Sequence, residues 1–221
     1  GVAAVATSSG QAAQFIAIHN LASAGDNIVS SSFLYGGTYN QFKVSFARLG
    51  IHVKFADGDK VESIASLIDD RTKAIYLETI GNPEYNIPDF EAIAAVARDN
   101  GIPLIVDNTF PTPVNCNPIK WGANIVTHST TKYMDGHASA VGGAIVDSGK
   151  FDWTKYPDKF AGLVEPDESY HGLSYTKNFG LGGAYITKAT AQLMRDLGST
   201  PSPQSAYYLN LGLESLHVRM E

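Results

Sequence analysis

The chain has 221 residues, of which 44% are hydrophobic and 17% charged, and its formal net charge is −6. This composition predicts one large folded core, and the lack of any lysine- and arginine-rich run disfavours a nucleic-acid or anionic-membrane partner. The single cysteine, Cys116, excludes an internal disulfide, so a reducing, cytoplasmic compartment is expected. No stretch approaches the roughly 18 consecutive apolar residues of a membrane span.

Both ends of the sequence indicate a piece of a longer protein. The chain begins at Gly1 without an initiator methionine, and residues 1–6 are interpreted as a buried element. They lack the charged segment of a signal peptide. The chain stops inside an apolar, helix-like pattern at residues 216–221.

Helix and strand patterns alternate along the first 150 residues, which predicts an α/β fold with a mostly parallel sheet. The predicted helices cover residues 10–24, 38–49, 61–68 and 90–100, and the predicted strands cover residues 27–31, 52–56, 73–78, 103–107, 124–128 and 142–146. Residues 151–174 are aromatic and irregular, and coarse helices follow over 188–197 and 203–219. A boundary is proposed near residue 200.

A lysine, Lys132, follows a run of hydroxyl residues at 129–131, and Asp107 ends a predicted strand upstream. This pattern is typical of a pyridoxal phosphate enzyme, in which a lysine forms a Schiff base, hydroxyls bind the phosphate and a carboxylate keeps the ring nitrogen protonated. Most lysines are simply solvated. Lys132 lies in a weakly charged stretch, where we expect partial burial that makes its amine a better nucleophile. Asp107 alone also fits a metal ligand, a cap or a turn.

Three further motifs border predicted elements. Residues 8–13 precede a helix whose free N–H groups favour an anion, although such a motif taken alone is more often a serine cap. Tyr35 follows a strand, where it would stack on a cofactor or pack over a glycine turn. Asn82, after Glu78, would reach a phenolic oxygen or cap its loop. Ligands bind beyond the carboxyl ends of strands in such sheets, so these groups are expected in one cleft.

Other chemistries are disfavoured by the same sequence. His128 and His137 have no third ligand at a useful spacing for zinc. Cys116 has no adjacent base and is interpreted as a small buried residue rather than a nucleophile. The absence of a G-x-G-x-x-G pattern disfavours an NAD-dependent enzyme.

Taken together, the motifs resemble the Cys/Met-metabolism family of fold-type I pyridoxal phosphate enzymes. That family includes cystathionine synthases and lyases, methionine γ-lyase and O-acetylhomoserine sulfhydrylase. The matching motifs span most of the chain in the family's order, at residues 9–13, 35–38, 78–83, 107–110, 129–133 and 136–137. Residues 35–43, 170–172 and 212–216 look most similar to the O-acetylhomoserine sulfhydrylase subgroup.

The resemblance implies roles for ten residues. Lys132 would bind pyridoxal 5'-phosphate covalently, Asp107 would pair with its ring nitrogen, and Tyr35 would stack on the ring and serve as a candidate acid/base. These three are the predicted catalytic residues. The other cofactor contacts would come from Ser9, Gly10, Gln11, Glu78, Asn82, Ser129 and Thr131.

The resemblance also implies an activity and an assembly. The activity is γ-replacement on O-acetyl-L-homoserine by sulfide or a thiol, giving homocysteine and acetate in methionine and cysteine biosynthesis. Cystathionine γ-synthase activity, γ-lyase activity and a non-catalytic cofactor-binding module remain alternatives. Residues 1–200 would be the cofactor-binding large domain, and residues 201–221 would begin a C-terminal domain.

The family assembles as homotetramers of dimers with shared active sites. It takes a phosphate-binding tyrosine and arginine from a neighbouring subunit's N-terminal region, and a substrate-binding arginine from the C-terminal domain. Both regions are expected outside these 221 residues, so the chain would be most of the cofactor domain.

Overall fold

A computed structural model describes all 221 residues as one seven-stranded sheet with helices on both faces. The strands are β1 (Ala3–Thr7), β2 (Asn27–Ser30), β3 (His52–Phe55), β4 (Thr72–Glu78), β5 (Leu104–Asp107), β6 (Ile125–Ser129) and β7 (Gly143–Asp147). Their order across the sheet is β1-β7-β6-β5-β4-β2-β3. Only β7 runs against its neighbours, since it pairs antiparallel with both β1 and β6. The predicted mostly parallel α/β sheet is therefore confirmed.

Nine α-helices connect and cover the strands. They are α1 (Gly10–His19), α2 (Gly36–Asn40), α3 (Val61–Ser66), α4 (Phe90–Asp99), α5 (Thr112–Asn115), α6 (Ala161–Val164), α7 (Tyr175–Lys188), α8 (Arg195–Leu197) and α9 (Pro203–Met220). Two π-helical segments, Gln41–Phe46 and Ala189–Met194, continue α2 and α7. Short 3-10 turns lie at Pro118–Trp121, Trp153–Lys155 and Glu168–Tyr170.

The central strands are buried on both faces of the sheet. In β4, Tyr76 packs in the larger core cluster with residues of α1, while the adjacent Ile75 and Leu77 pack in the second cluster with residues of α4. Alternate side chains of a strand point to opposite faces, so a strand covered on both sides reads as a continuous apolar run. This packing fixes the carboxyl ends of β4 and β5, where Glu78 and Asp107 lie.

Three predictions about individual elements were wrong: the burial of residues 1–6, the end of the first helix and the start of the helix near residue 190. Residues 1–6 are not a buried element: β1 is an edge strand with alternately exposed residues. The first helix ends at His19 rather than at residue 24. The helix predicted from residue 188 is already formed at Tyr175, where the Ser174 side chain accepts a hydrogen bond from the Lys177 amide. Three glycines within α7 lower its helix propensity and hid it from the sequence pattern.

Candidate active site

One cavity of about 320 Å³ lies at the carboxyl ends of β4, β5 and β6. All ten residues singled out from the sequence line it: Ser9, Gly10, Gln11, Tyr35, Glu78, Asn82, Asp107, Ser129, Thr131 and Lys132. A volume of this order matches a small-molecule site. The structure thus brings the ten residues together, while their individual chemical roles remain predictions.

Strand register sets the two carboxyl groups side by side. Glu78 of β4 is paired with Asp107 of β5, which is paired in turn with Thr127 of β6. Ser129 lies two residues beyond Thr127 on the same strand and therefore faces the same side. Lys132 follows in the turn after β6, where its amide donates to the Ser129 carbonyl at 3.3 Å.

The expected partial burial of Lys132 was wrong. Its side chain is exposed, at the rim where the main cavity meets a second, more open pocket. The neighbouring Tyr133 is also exposed and packs against Phe110 with ring centroids 6.0 Å apart. The lysine lies in a turn beyond the strand end, where no element of this chain covers it.

The N-terminus of α1 forms the wall suited to an anion. The Ser9 hydroxyl accepts a hydrogen bond from the Ala12 amide at 3.0 Å, while the first-turn amides of Gly10 and Gln11 have no partner four residues back. A β-carbon on Gly10 would lie 2.5 Å from the Ser129 Cβ, so only glycine permits this close approach. Free amides, the helix dipole and the Ser9 and Ser129 hydroxyls together fit a phosphate.

Thr131 is placed differently from the two serines. Its hydroxyl donates to the Gly142 carbonyl and accepts from the Gly142 amide, both at 3.1 Å. Thr131 therefore lines the cavity with its hydroxyl already paired, and this hydroxyl would have to turn to bind a phosphate oxygen.

The two carboxyl groups have raised pKa values. Burial and then the charge of Asp107 raise the pKa of Glu78 to about 8, although its Oε1 accepts the Tyr35 amide at 2.7 Å. Burial also raises the pKa of Asp107, opposed by hydrogen bonds from Thr109 and Tyr76. Two neighbouring buried carboxyls avoid ionising together, and the charge of Asp107 is accordingly one cause of the raised Glu78 pKa.

Replacing Glu78 by glutamine is expected to remove part of the pH dependence of stability. The folded-state pKa is raised above the ordinary value of 4.5, so the unfolded chain binds fewer protons between these values. Wild-type stability is therefore highest below pH 4.5 for this group and falls as the pH rises towards 8. The slope is at most about 1.4 kcal/mol per pH unit.

Urea unfolding of the cofactor-free chain at several pH values from 5 to 8 checks this expectation. Glu78→Gln keeps an oxygen for the Tyr35 amide, so its free energy of unfolding should fall less steeply than that of the wild type. Equal slopes for the two proteins would show that Glu78 titrates normally.

Sequence reasoning missed several residues of the cavity, including Gln14, Thr38 and Thr109. The Thr109 amide donates to Asp107 Oδ1 at 2.9 Å, and its hydroxyl donates to the same oxygen. Its place two residues after an aspartate is a recognisable turn signal. Gln14 follows Gly10 by four positions, so helical periodicity also indicated its face. Ile80 and Phe110 lie inside the motifs at 78–83 and 107–110, although no role was assigned to them, and Val141 carried no signal.

Neither a metal site nor a membrane span is present in the described chain. No group of three or more His, Cys, Asp or Glu side chains is placed to hold a metal ion. His128 is buried with Nδ1 3.1 Å from the Asn108 carbonyl oxygen, and burial lowers its pKa to about 4. None of the helices is both long and apolar enough to cross a membrane.

The fold and cavity together define a fold-type I pyridoxal phosphate-dependent architecture: an α/β sheet with a lysine, a buried aspartate and a helix N-terminus at its carboxyl edge. The model of the family described as Cys/Met metabolism PLP-dependent enzyme matches residues 1–221. The chain belongs to this family, and the resemblance inferred from the motifs is confirmed.

Relatives and a solved structure extend this comparison. The chain is 58% identical to homocysteine/cysteine synthase of Kluyveromyces lactis and 55% identical to that of Saccharomyces cerevisiae, covering 100% of this chain and 50% of each relative. A Campylobacter jejuni structure assigned as O-acetylhomoserine (thiol)-lyase, containing N'-pyridoxyl-lysine-5'-monophosphate, superposes with a TM-score of 0.91 at 37% identity. The match covers 97% of this chain and 53% of that one. The chain thus spans about half the length of the curated relatives it matches.

Proposed function

We propose that this chain is the pyridoxal 5'-phosphate-binding part of an enzyme that performs γ-replacement on O-acetyl-L-homoserine. Sulfide or a thiol would displace acetate, and sulfide would give L-homocysteine. The observation that carries the proposal is the single cavity uniting Lys132, Asp107 and the N-terminus of α1. The names of the related synthases and of the Campylobacter jejuni lyase support the choice of substrate.

The cavity offers a group for each part of the cofactor. The amides of Gly10 and Gln11 and the hydroxyls of Ser9, Ser129 and Thr131 would bind the phosphate. Tyr35 lies at the opening, 52% exposed, where its ring is available for stacking, and Asn82 would meet the phenolic oxygen. Glu78 would support this wall, because its carboxyl fixes the Tyr35 backbone.

When bound, pyridoxal phosphate supplies an electron sink for carbanion chemistry. Asp107 would keep a negative charge against the ring nitrogen and so maintain its proton. Lys132 would hold the cofactor through its amine and, once displaced by the substrate amine, remove and return substrate protons at Cα. Tyr35 is a second candidate acid/base because it borders the same cavity.

The assembly and compartment are also proposed. Exposed apolar side chains on α9, including Tyr207, Leu211 and Val218, form a surface that further protein would cover. We propose that α9 begins the C-terminal domain, with residues 1–200 as the cofactor-binding domain. The complete enzyme would be a cytoplasmic homotetramer of dimers with shared active sites.

An assay of the complete enzyme to which this chain belongs, purified and loaded with cofactor, tests the proposal with O-acetyl-L-homoserine as substrate. Homocysteine and acetate should form in equal amounts and only when sulfide is added. A keto acid released without sulfide would instead identify a γ-lyase, and cystathionine formed with cysteine would identify a cystathionine γ-synthase. Cofactor binding without any turnover would favour a non-catalytic binding module.

A further inference from the structure

A buried hydroxyl lies next to Asp107 on a residue that does not line the cavity. Tyr76 of β4 is completely buried, and its hydroxyl lies 3.4 Å from Asp107 Oδ2. The other carboxyl oxygen, Oδ1, is bonded to the amide and hydroxyl of Thr109. Within the chain, Oδ2 therefore receives its hydrogen bond from Tyr76 alone.

The amide oxygen of Gln14 is a second acceptor for the Tyr76 hydroxyl proton. Gln14 Nε2 donates to Gln11 Oε1 at 2.6 Å and to Gln41 Oε1 at 2.8 Å. These two bonds use both amide hydrogens, so Gln14 Oε1 must be the atom that faces Tyr76 at 3.2 Å. Thr38 donates to the same oxygen at 3.1 Å, which completes the anchoring of this amide.

The phenolic proton of Tyr76 therefore faces two acceptors, an amide oxygen and a carboxyl oxygen. A charged carboxylate is the stronger acceptor, so the proton is directed to Asp107 when Asp107 is ionised. Burial, followed by the charges of Asp107 and Glu78, raises the pKa of Tyr76 far above its ordinary value. The hydroxyl thus stays protonated and remains a donor throughout the working pH range.

The other groups around Asp107 leave the Tyr76 hydroxyl as an important hydrogen-bond donor to its carboxylate. Glu78, paired with Asp107 across the strands, is itself a buried carboxyl group with a raised pKa and supplies no positive charge to Asp107. Thr127, the paired residue on β6, has a buried hydroxyl that makes no hydrogen bond to Asp107 and lies near the Tyr76 hydroxyl. The charge of Asp107 is therefore supported by Thr109 on one oxygen and by Tyr76 on the other.

We propose that Tyr76 is a positioning residue that orients the Asp107 carboxylate and keeps it charged for the ring nitrogen. The inference rests on the proposed function, because it concerns the same cofactor site. It assigns to one core residue of β4 a share in keeping the ring nitrogen protonated.

The variant Tyr76→Phe tests the proposal, with Tyr185→Phe as its matched control. Tyr185 is also completely buried, and its hydroxyl donates to the Ala17 carbonyl at 2.7 Å outside the cavity. Both variants lose one buried hydroxyl and keep the ring. Tyr76→Phe should weaken equilibrium binding of pyridoxal phosphate about tenfold, which is typical of a lost hydrogen bond to a charged group. Tyr185→Phe should leave this affinity within about twofold of wild type.

The protonation of the ring nitrogen is a second measurement, and it would not change if Tyr76 only stabilised the fold. With ¹⁵N-labelled pyridoxal phosphate at pH 8, the nitrogen resonance in Tyr76→Phe should shift towards its unprotonated position. Tyr185→Phe should match the wild type. Gln14→Met removes the competing acceptor and keeps the hydroxyl, so its resonance should shift towards the protonated position, and it stands in if Tyr76→Phe fails to fold.

The outcomes separate this inference from the proposed function. If the wild type binds the cofactor and Tyr76→Phe keeps the wild-type affinity and resonance, the role of Tyr76 alone is overturned. If Tyr76→Phe is unfolded, an unchanged resonance in Gln14→Met overturns that role in the same way. A wild-type protein that binds no pyridoxal phosphate would overturn the proposed function and this inference with it.

Discussion

Lys132→Ala is expected to abolish covalent attachment of pyridoxal phosphate and to lower sulfhydrylation by about 10⁴-fold or more. In the proposed site, Lys132 is the amine that both holds the cofactor and moves the substrate protons, so two functions are lost at once. The side chain is exposed at the cavity rim, and its removal leaves no buried hole. Folding should therefore be unchanged, and the loss should be visible in both turnover and the cofactor's absorption.

Two comparison variants make the result specific. Lys132→Arg keeps a positive charge but cannot form the covalent bond, so it should be as inactive as Lys132→Ala. Lys155→Ala removes a lysine that is 70% exposed and paired only with Asp152 at 4.0 Å, and it should remain fully active. Substantial sulfhydrylation by Lys132→Ala would contradict the assignment.

Asp107→Asn is expected to lower turnover by about 10²- to 10³-fold, the magnitude typical of removing one electrostatic contact to a developing charge. Asparagine has the same shape and can still accept the Thr109 amide, which donates to Oδ1 at 2.9 Å. It has no negative charge, so it cannot keep the ring nitrogen protonated. Steady-state rates at saturating substrate measure the effect, because the loss should be in kcat.

Asp147→Asn is a matched control for the loss of a buried carboxyl group. Asp147 lies on β7 with 1% exposure, its Oδ1 accepts the Gly149 amide at 2.8 Å, and burial raises its pKa to about 6. It does not line the cavity, so turnover should stay within about twofold of wild type. If Asp107→Asn were as active as Asp147→Asn, the ring-nitrogen role would be wrong.

The position of the site followed from the sequence because of how the central strands pack. Apolar runs ending in Glu78 and Asp107 mark strands buried on both faces, and polar residues at their carboxyl ends must meet at one edge. The lysine after a hydroxyl run identified the chemistry, and the family match confirmed it. Placement in a common cavity was thus predictable from residue order alone.

Other features depend on contacts between distant segments. Nothing in the sequence distinguishes Tyr76 from the other core residues of β4. Only the pairing of β4 with β5 in the structure shows that its hydroxyl lies within reach of Asp107. The exposure of Lys132 likewise depends on the turn after β6 rather than on its weakly charged neighbours. The glycines of α7 have low helix propensity, and Gly180 forms a kink with φ 67°, so the sequence pattern did not predict this helix. Tertiary packing stabilises it.

The covalent attachment of pyridoxal phosphate is the most direct test of the proposed site. Purified protein is mixed with the cofactor, its absorption is recorded, and the complex is reduced with borohydride and mapped by peptide mass spectrometry. We expect a band at the edge of the visible range and a single label on Lys132. Lys188 is the informative competitor, because it lies outside the cavity and burial lowers the pKa of its amine to about 8. A label on Lys188 in place of Lys132, or no band at all, would contradict the proposed site.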